Sequence, residues 1–191
     1  MLVCKKNKLR RPWTPINIAG LNLPSFLYCC LCWALDYASL GQFSAVKKRL
    51  FSFFFLGALF SGMFYGIIHQ GNWFTLPRNS FNDWLLLLLL YPILSVIPQE
   101  LIFRTYFFHR YKRIMPKKAV RIIVSASVFA LAHSVYANWI AVALAFLGGL
   151  LFAYTYAQSR STVVCVIEHS LWGLWMFTLG IGSYLDSGAF N

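Results

Sequence analysis

The sequence predicts an all-α fold: a polytopic bundle of transmembrane helices, about five spans, with an interfacial or re-entrant N-terminal segment. Three observations predict it. Hydrophobic residues fill 59% of the 191 positions and charged residues only 12%, too little polar surface to cover a soluble domain of this size. Mean hydropathy is +0.62. The apolar residues also gather in runs near the roughly 20 that a helix needs to cross a bilayer, where backbone groups must be satisfied within the segment.

Taken in order, the clear spans are Phe51 to Ile68, Trp84 to Phe108, Val120 to Ala137, and Trp139 to Ala157. Thr162 to Gly182 qualifies as a fifth although it carries Glu168 and His169. Leu21 to Leu40 is weaker, being interrupted by Pro24 and Asp36. Gly148, Gly149 and Ala153 give the fourth span a small face for close helix approach. No repeat, Gly/Ser linker or low-complexity tract divides the chain. It reads as residues 1–50, a basic N-terminal and interfacial segment; 51–83, the first membrane helix and an outer loop; 84–182, a four-helix core; and 183–191, a tail.

Charge sets the orientation. The net charge of +12 is collected in clusters between apolar runs, as in cytoplasmic loops, so nucleic acid is not the expected partner. Lys47 to Arg49, the six basic residues from Arg110 to Arg121, and Arg160 all fall on one side if five helices cross. The cluster Lys5 to Arg11 joins them only if Leu21 to Leu40 does not cross. That cluster resembles a signal-peptide n-region, but no small-residue cleavage site follows, so it is kept as mature sequence. The five cysteines, Cys4, Cys29, Cys30, Cys32 and Cys165, show no paired C-x-x-C spacing, Cys29 to Cys32 having no second such pair to match it, and they read as packing residues.

Glutamate occurs twice, at Glu100 and Glu168, both inside apolar stretches. A carboxylate at membrane depth costs several kcal/mol or more, so each is a functional-site hypothesis with a partner to be named. Arg104 stands four residues after Glu100, and His169 adjoins Glu168. With 1.5 Å rise per residue and the nearest cytoplasmic arginine marking each helix end, Glu100 lies about 15 Å deep, His133 about 18 Å and His169 about 14 Å. Ionisable side chains from separate helices thus reach one level. The plainer reading of each is packing: Glu100 and Arg104 as a buried ion pair, His133 and His169 as hydrogen-bonded helix contacts. His109 reads as an interfacial anchor, His69 as incidental, and the aromatics as mostly lipid-facing or interfacial.

Together, Glu100, His133 and His169 suit water activation. Burial and a neighbouring guanidinium act on a carboxylate in opposite directions, and such competition can poise a general base near neutral pH. Imidazoles can orient the water or donate to an oxyanion. The same trio, with Glu168, suits zinc, although the chain has no H-E-x-x-H pair. No cofactor is favoured, with zinc on His133, His169 and Glu100 as the alternative.

These residues resemble a known family. Gln99-Glu100-Leu101-Ile102-Phe103-Arg104 is similar to the E-E-x-x-x-R motif of the CAAX protease and bacteriocin-processing (CPBP, or Abi) family of glutamate-type intramembrane proteases. Phe129 to His133 resembles its F-x-x-x-H motif, and His169 to Gly173 its H-x-x-x-N motif, in family order over Trp84 to Gly182. The resemblance implies a helical membrane endopeptidase in which glutamate and the second-motif histidine activate water. The third-motif histidine and its amide partner would stabilise the oxyanion. Gln99 departs from the motif, because an amide cannot serve as a base, and Gly173 removes a donor. Glu100 is the expected base, although one helical step turns a side chain by about 100°; Glu168 is the alternative carboxylate. Gln99, Arg104, Phe129 and Glu168 are supporting residues.

The function expected is cleavage of a membrane-embedded or lipid-anchored peptide by a multi-pass integral membrane protein, in the plasma (inner) membrane if the source is bacterial. Its partners are the bilayer and a membrane protein or peptide. Two other classes compete. One is a non-catalytic binding subunit or transporter using Glu100 and Arg104 structurally or for ion coupling; the other is a haem protein with axial histidines. The substrate is not written in the sequence.

Overall fold

The computed structural model describes residues 16–18, 21–23, 40–70 and 73–182. Two short strands, β1 (Ile16–Ile18) and β2 (Leu21–Leu23), pair antiparallel with Ile16 opposite Leu23. Thus the stretch read as interfacial or re-entrant opens extended, while residues 24–39 lie outside the described residues. The remaining elements are helices: α1 (Leu40–Ile68), a short α2 (Thr75–Asn79), α3 (Phe81–Arg110), α4 (Lys118–Ala132), α5 (Trp139–Ser159) and α6 (Thr162–Leu179). Five of these are long and apolar enough to cross a membrane, which makes the chain a multi-pass helical membrane protein.

Element existence follows the sequence expectation; element ends do not. The basic residues Lys47, Lys48 and Arg49 fall inside α1, which begins at Leu40, so that cluster is helical rather than a preceding loop. The fourth helix runs on to Ser159 and ends at Arg160 in the left-handed region, φ 51°. Ser161 then caps α6, accepting from the Val164 amide at 3.4 Å. The segment after Ala132 tightens into a 3₁₀ turn, His133–Tyr136, a common way to finish an α-helix. Asn138 restarts the chain by capping α5, accepting from Ile140 at 2.9 Å.

The second span departs most from regularity. Within α3, Tyr91–Val96 and Leu101–Tyr106 are wound as π-helix. Pro92 and Pro98 supply a cause for the first: proline removes an amide donor and its ring crowds the carbonyl four residues back, which a wider turn relieves. The Phe103 carbonyl in the second π segment accepts from Ser125 Oγ at 2.7 Å, tying α3 to α4.

Large apolar side chains such as Phe55, Leu59, Phe60 and Ile67 are exposed, the surface that lipid covers. The interior is instead built from small residues and aromatic rings. Gly149 packs on Ala126: a Cβ at Gly149 would come within 3.1 Å of the Ala126 Cα. Ala145, on the same helix, packs with Phe129 and Ala130 of α4, so of the small face expected on the fourth span Gly149 meets α4, while Ala153 packs with Phe107 and Phe108 of α3. Cys165 is buried and free; the other cysteines lie outside the described residues.

One end of the bundle is basic. His109, Lys112, Lys118, Arg121 and Arg160 line a single depression there, and the Arg121 guanidinium donates to the Met115 and Pro116 carbonyls, fixing the connecting turn. Arg49 reaches Thr155, near the same end of α5, at 2.5 Å. Positive charge of this kind is retained in the cytoplasm. Reporter fusions near Pro116 and after Gly182 should therefore report opposite sides, cytoplasmic and external; both on one side would exclude five crossings.

Candidate active site

The site is built around Glu100, whose side chain has no exposed surface. Its Oε1 accepts from Nδ1 of His169 at 2.8 Å, joining α3 to α6. Its Oε2 stands 3.2 Å from Arg104 Nε without hydrogen-bond alignment, so that contact is Coulombic. The Arg104 guanidinium, also fully buried, lies over the Phe129 ring at 4.4 Å and near the Phe152 ring at 5.5 Å. Aromatic faces offer a cation the partner that water would otherwise supply.

Phe129 is the centre of the aromatic frame. Its ring lies 4.5 Å from that of His133, 5.8 Å edge-on from His169 and 5.2 Å from Phe103. His133 directs Nδ1 at the Phe129 carbonyl, 2.8 Å away. His169 stacks on Phe152 at 4.4 Å with 19° between planes. Both imidazoles are thus fixed by a bond at Nδ1 and an aromatic neighbour, stacked on His169 and tilted against His133.

His133 and His169 line one cavity of about 490 Å³. Its walls are apolar and come from α1 (Phe53, Leu56, Gly57), α5 (Leu147, Gly148, Leu151) and α6 (Trp172, Gly173, Met176), with Tyr91 from α3. Phe53, Leu56 and Leu147 are exposed, so the cavity opens sideways between α1 and α5 toward lipid. Glu100 does not line it; the carboxylate lies behind His169.

The other sequence candidates are placed apart. Glu168, although next to His169, is turned to α1 and α5: Arg49 Nη2 is 4.0 Å from its Oε1 and 2.5 Å from Thr155 Oγ1. Gln99 donates to Ser95 Oγ one turn back, at 2.9 Å, and does not line the cavity. His69 stacks on Tyr65 at 4.2 Å, away from the site. Among the described residues no group of three or more His, Cys, Asp or Glu side chains is arranged to hold a metal; in the trio His133, His169 and Glu100, the carboxylate is engaged by His169 and Arg104.

Tyr91, Phe152 and Trp172 were not distinguished in the sequence from lipid-facing aromatics. For Tyr91 a signal exists: a hydroxylated ring directly before Pro92, in a span whose helix the proline distorts. For Phe152 the signal is weaker, one turn after Gly148 and Gly149 on the small face.

The buried pair carries a stability prediction. Arg104→Met leaves the Glu100 carboxylate uncompensated at zero exposure, which typically costs about 3–5 kcal/mol, and a lower melting temperature in detergent should report it. Replacing both members, Glu100→Gln with Arg104→Met, should recover much of that loss.

Comparison with curated proteins and with solved structures gave no match. Residues 81–175 match the family described as type II CAAX prenyl endopeptidase Rce1-like, a stretch that holds Tyr91, Glu100, Arg104, His133 and His169. Through this segment the chain belongs to the Rce1-like group of the CAAX protease and bacteriocin-processing family.

Proposed function

We propose that the chain is an intramembrane endopeptidase that hydrolyses a membrane-embedded or lipid-anchored peptide, with Glu100, His169 and His133 processing the attacking water. One observation carries this: the Glu100–His169 hydrogen bond backs one of two imidazoles on a cavity that opens to lipid. A carboxylate only accepts hydrogen bonds, so in the pair that Glu100 makes with Arg104 its Oε1 accepts and Nδ1 of His169 carries the hydrogen. Its Nε2 is then free to take a proton from water. In this reading Glu100 is not itself the base, as the sequence led one to expect, and His169 is not the oxyanion donor; Glu100 acts through His169, fixing its tautomer and stabilising the positive charge it gains, the part a buried aspartate plays in hydrolytic triads.

His133 has the same tautomer for a similar reason, because the Phe129 carbonyl can only accept. Its Nε2 orients the water. After the water oxygen adds to the scissile carbonyl carbon, the proton held by His169 passes to the leaving amine nitrogen, and the C–N bond breaks as the carbonyl re-forms. The apolar walls exclude bulk water, so the few polar groups act at low dielectric, where they are strongest. The family description names a prenyl endopeptidase, and the sideways opening suits a peptide presented on a lipid anchor.

The test uses purified protein in liposomes with a quenched-fluorescent farnesylated peptide ending in cysteine, two aliphatic residues and a variable residue. It is joined by comparison of membrane-protein fragments in cells with and without the chain. His133→Ala and His169→Ala keep the Glu100–Arg104 pair, so loss of turnover by roughly 10³-fold or more in folded protein isolates chemistry from structure. Full cleavage by folded His169→Ala would sink the assignment. Glu168→Gln should retain cleavage, because Glu168 faces Arg49 and Thr155; abolition there, with Glu100→Gln still active, would transfer the carboxylate role to Glu168. Chelator should leave the rate unchanged, whereas loss restored by zinc would point to a metal on His133, His169 and Glu100.

A further inference from the structure

We propose that the phenolic hydroxyl of Tyr91 is the oxyanion donor of this site, standing where the side chain that Gly173 lacks would project. The inference rests on the hydrolytic reading given above. His169 and Gly173 are four residues apart on α6, hence on one face and one turn from each other. Both line the cavity. A Cβ built on Gly173 would collide with the Tyr91 hydroxyl and the ring carbons beside it. The hydroxyl therefore fills the volume of an i+4 side chain, delivered from α3 instead of α6.

The ring is held for that purpose on several sides. It meets Phe177 edge-on at 5.3 Å and His169 edge-on at 6.2 Å, and Gly173 gives it room to approach the α6 backbone.

Chemistry calls for such a donor. Each neutral imidazole uses its hydrogen at Nδ1, His169 toward Glu100 and His133 toward Phe129, so neither Nε2 can donate before a proton arrives. Trp172 also lines the cavity, but its indole nitrogen is buried from it. Tyr91 brings an O–H that needs no protonation step. When water adds to the carbonyl carbon, the C=O π pair moves onto oxygen, the water proton goes to His169 Nε2, and Tyr91 donates to the new oxyanion while keeping its own proton. When the C–N bond breaks, the amine takes the proton from His169 and the hydrogen bond to Tyr91 relaxes to that of a neutral carbonyl. Stabilisation made only in the transition state lowers kcat when removed.

The experiment measures kcat and KM on the farnesylated peptide in liposomes for wild type, His169→Ala, Tyr91→Phe, Tyr91→Ala, and Tyr91→Ala with Gly173→Asn. Tyr91→Phe keeps the ring and deletes the donor, so kcat should fall by about 10²–10³-fold with KM nearly unchanged, the cost typical of one lost oxyanion donor. The melting temperature should stay at the wild-type value. Tyr91→Ala empties the space above Gly173, and the amide of Gly173→Asn in that background should recover part of kcat, which a purely structural tyrosine would not explain. Wild-type kcat in Tyr91→Phe, or a raised KM at constant kcat, overturns the role of Tyr91 while cleavage lost in His169→Ala leaves the hydrolytic reading standing. No cleavage by wild type, or full cleavage by His169→Ala, overturns that reading and the role of Tyr91 with it.

Discussion

A carboxylate with no exposed surface, inside a bundle whose outer solvent is lipid, must have its charge met by protein alone. Glu100 meets that constraint by drawing in a cation from its own helix and an imidazole from α6. Arg104 in turn is a buried cation whose terminal nitrogens find no hydrogen-bond partner among the described residues, and the Phe129 and Phe152 rings of α4 and α5 close over it. Charge burial thus specifies which helices lie side by side. The same rings clamp the two histidines, so the frame that satisfies Arg104 also fixes the imidazoles.

The geometry of α3 makes this arrangement compatible with a spanning helix. An ideal α-helix places side chains on a fixed 3.6-residue cycle, and a π turn alters that phase locally. With π segments on either side of Glu100, α3 presents Tyr91 to the cavity and Glu100 behind His169, and leaves the Phe103 carbonyl for Ser125. Such turns cost backbone regularity and concentrate at functional sites. In α3 they fall on the stretch that joins Tyr91, Glu100 and Arg104.

Much of this was legible in the sequence because lipid simplifies the problem. Five apolar runs gave the five crossing helices, since hydrocarbon admits few alternatives for a backbone. The rarity of glutamate pointed to Glu100, and depth along the helix axis brought His133 and His169 to the same cavity. Depth has no angular component, however, and rotation about each axis decided the rest. Glu168 and His169 are adjacent in the chain yet point to different neighbours, Arg49 and Glu100. Apart from Phe129, which the F-x-x-x-H motif singles out, aromatic residues were the least legible: Phe60 faces lipid and Phe152 the core, with the same side chain and similar surroundings in the sequence. The π turns were not foreseen either, because proline announces a distortion without its type.

The two glutamates show how cost and role separate. Both are buried, and both stand near an arginine, but Arg104 is sealed from solvent whereas the Arg49 side chain is 30% exposed. Glu168 therefore lies near the basic end of the bundle, where Arg49 can rest on Tyr154 at 5.2 Å and contact Thr155. Its consequence is mechanical: Arg49 fastens α1 to α5 and α6 at that end. Farther along, Trp172 lies against Gly57 and Trp175 donates to Ser61, so α1 is seated along α6. Phe53, Leu56 and Gly57 consequently form a wall of the cavity, although α1 lies outside residues 81–175. The polar groups proposed for chemistry and the apolar wall proposed for the substrate thus come from different parts of the chain, and the Arg49–Glu168 contact joins them.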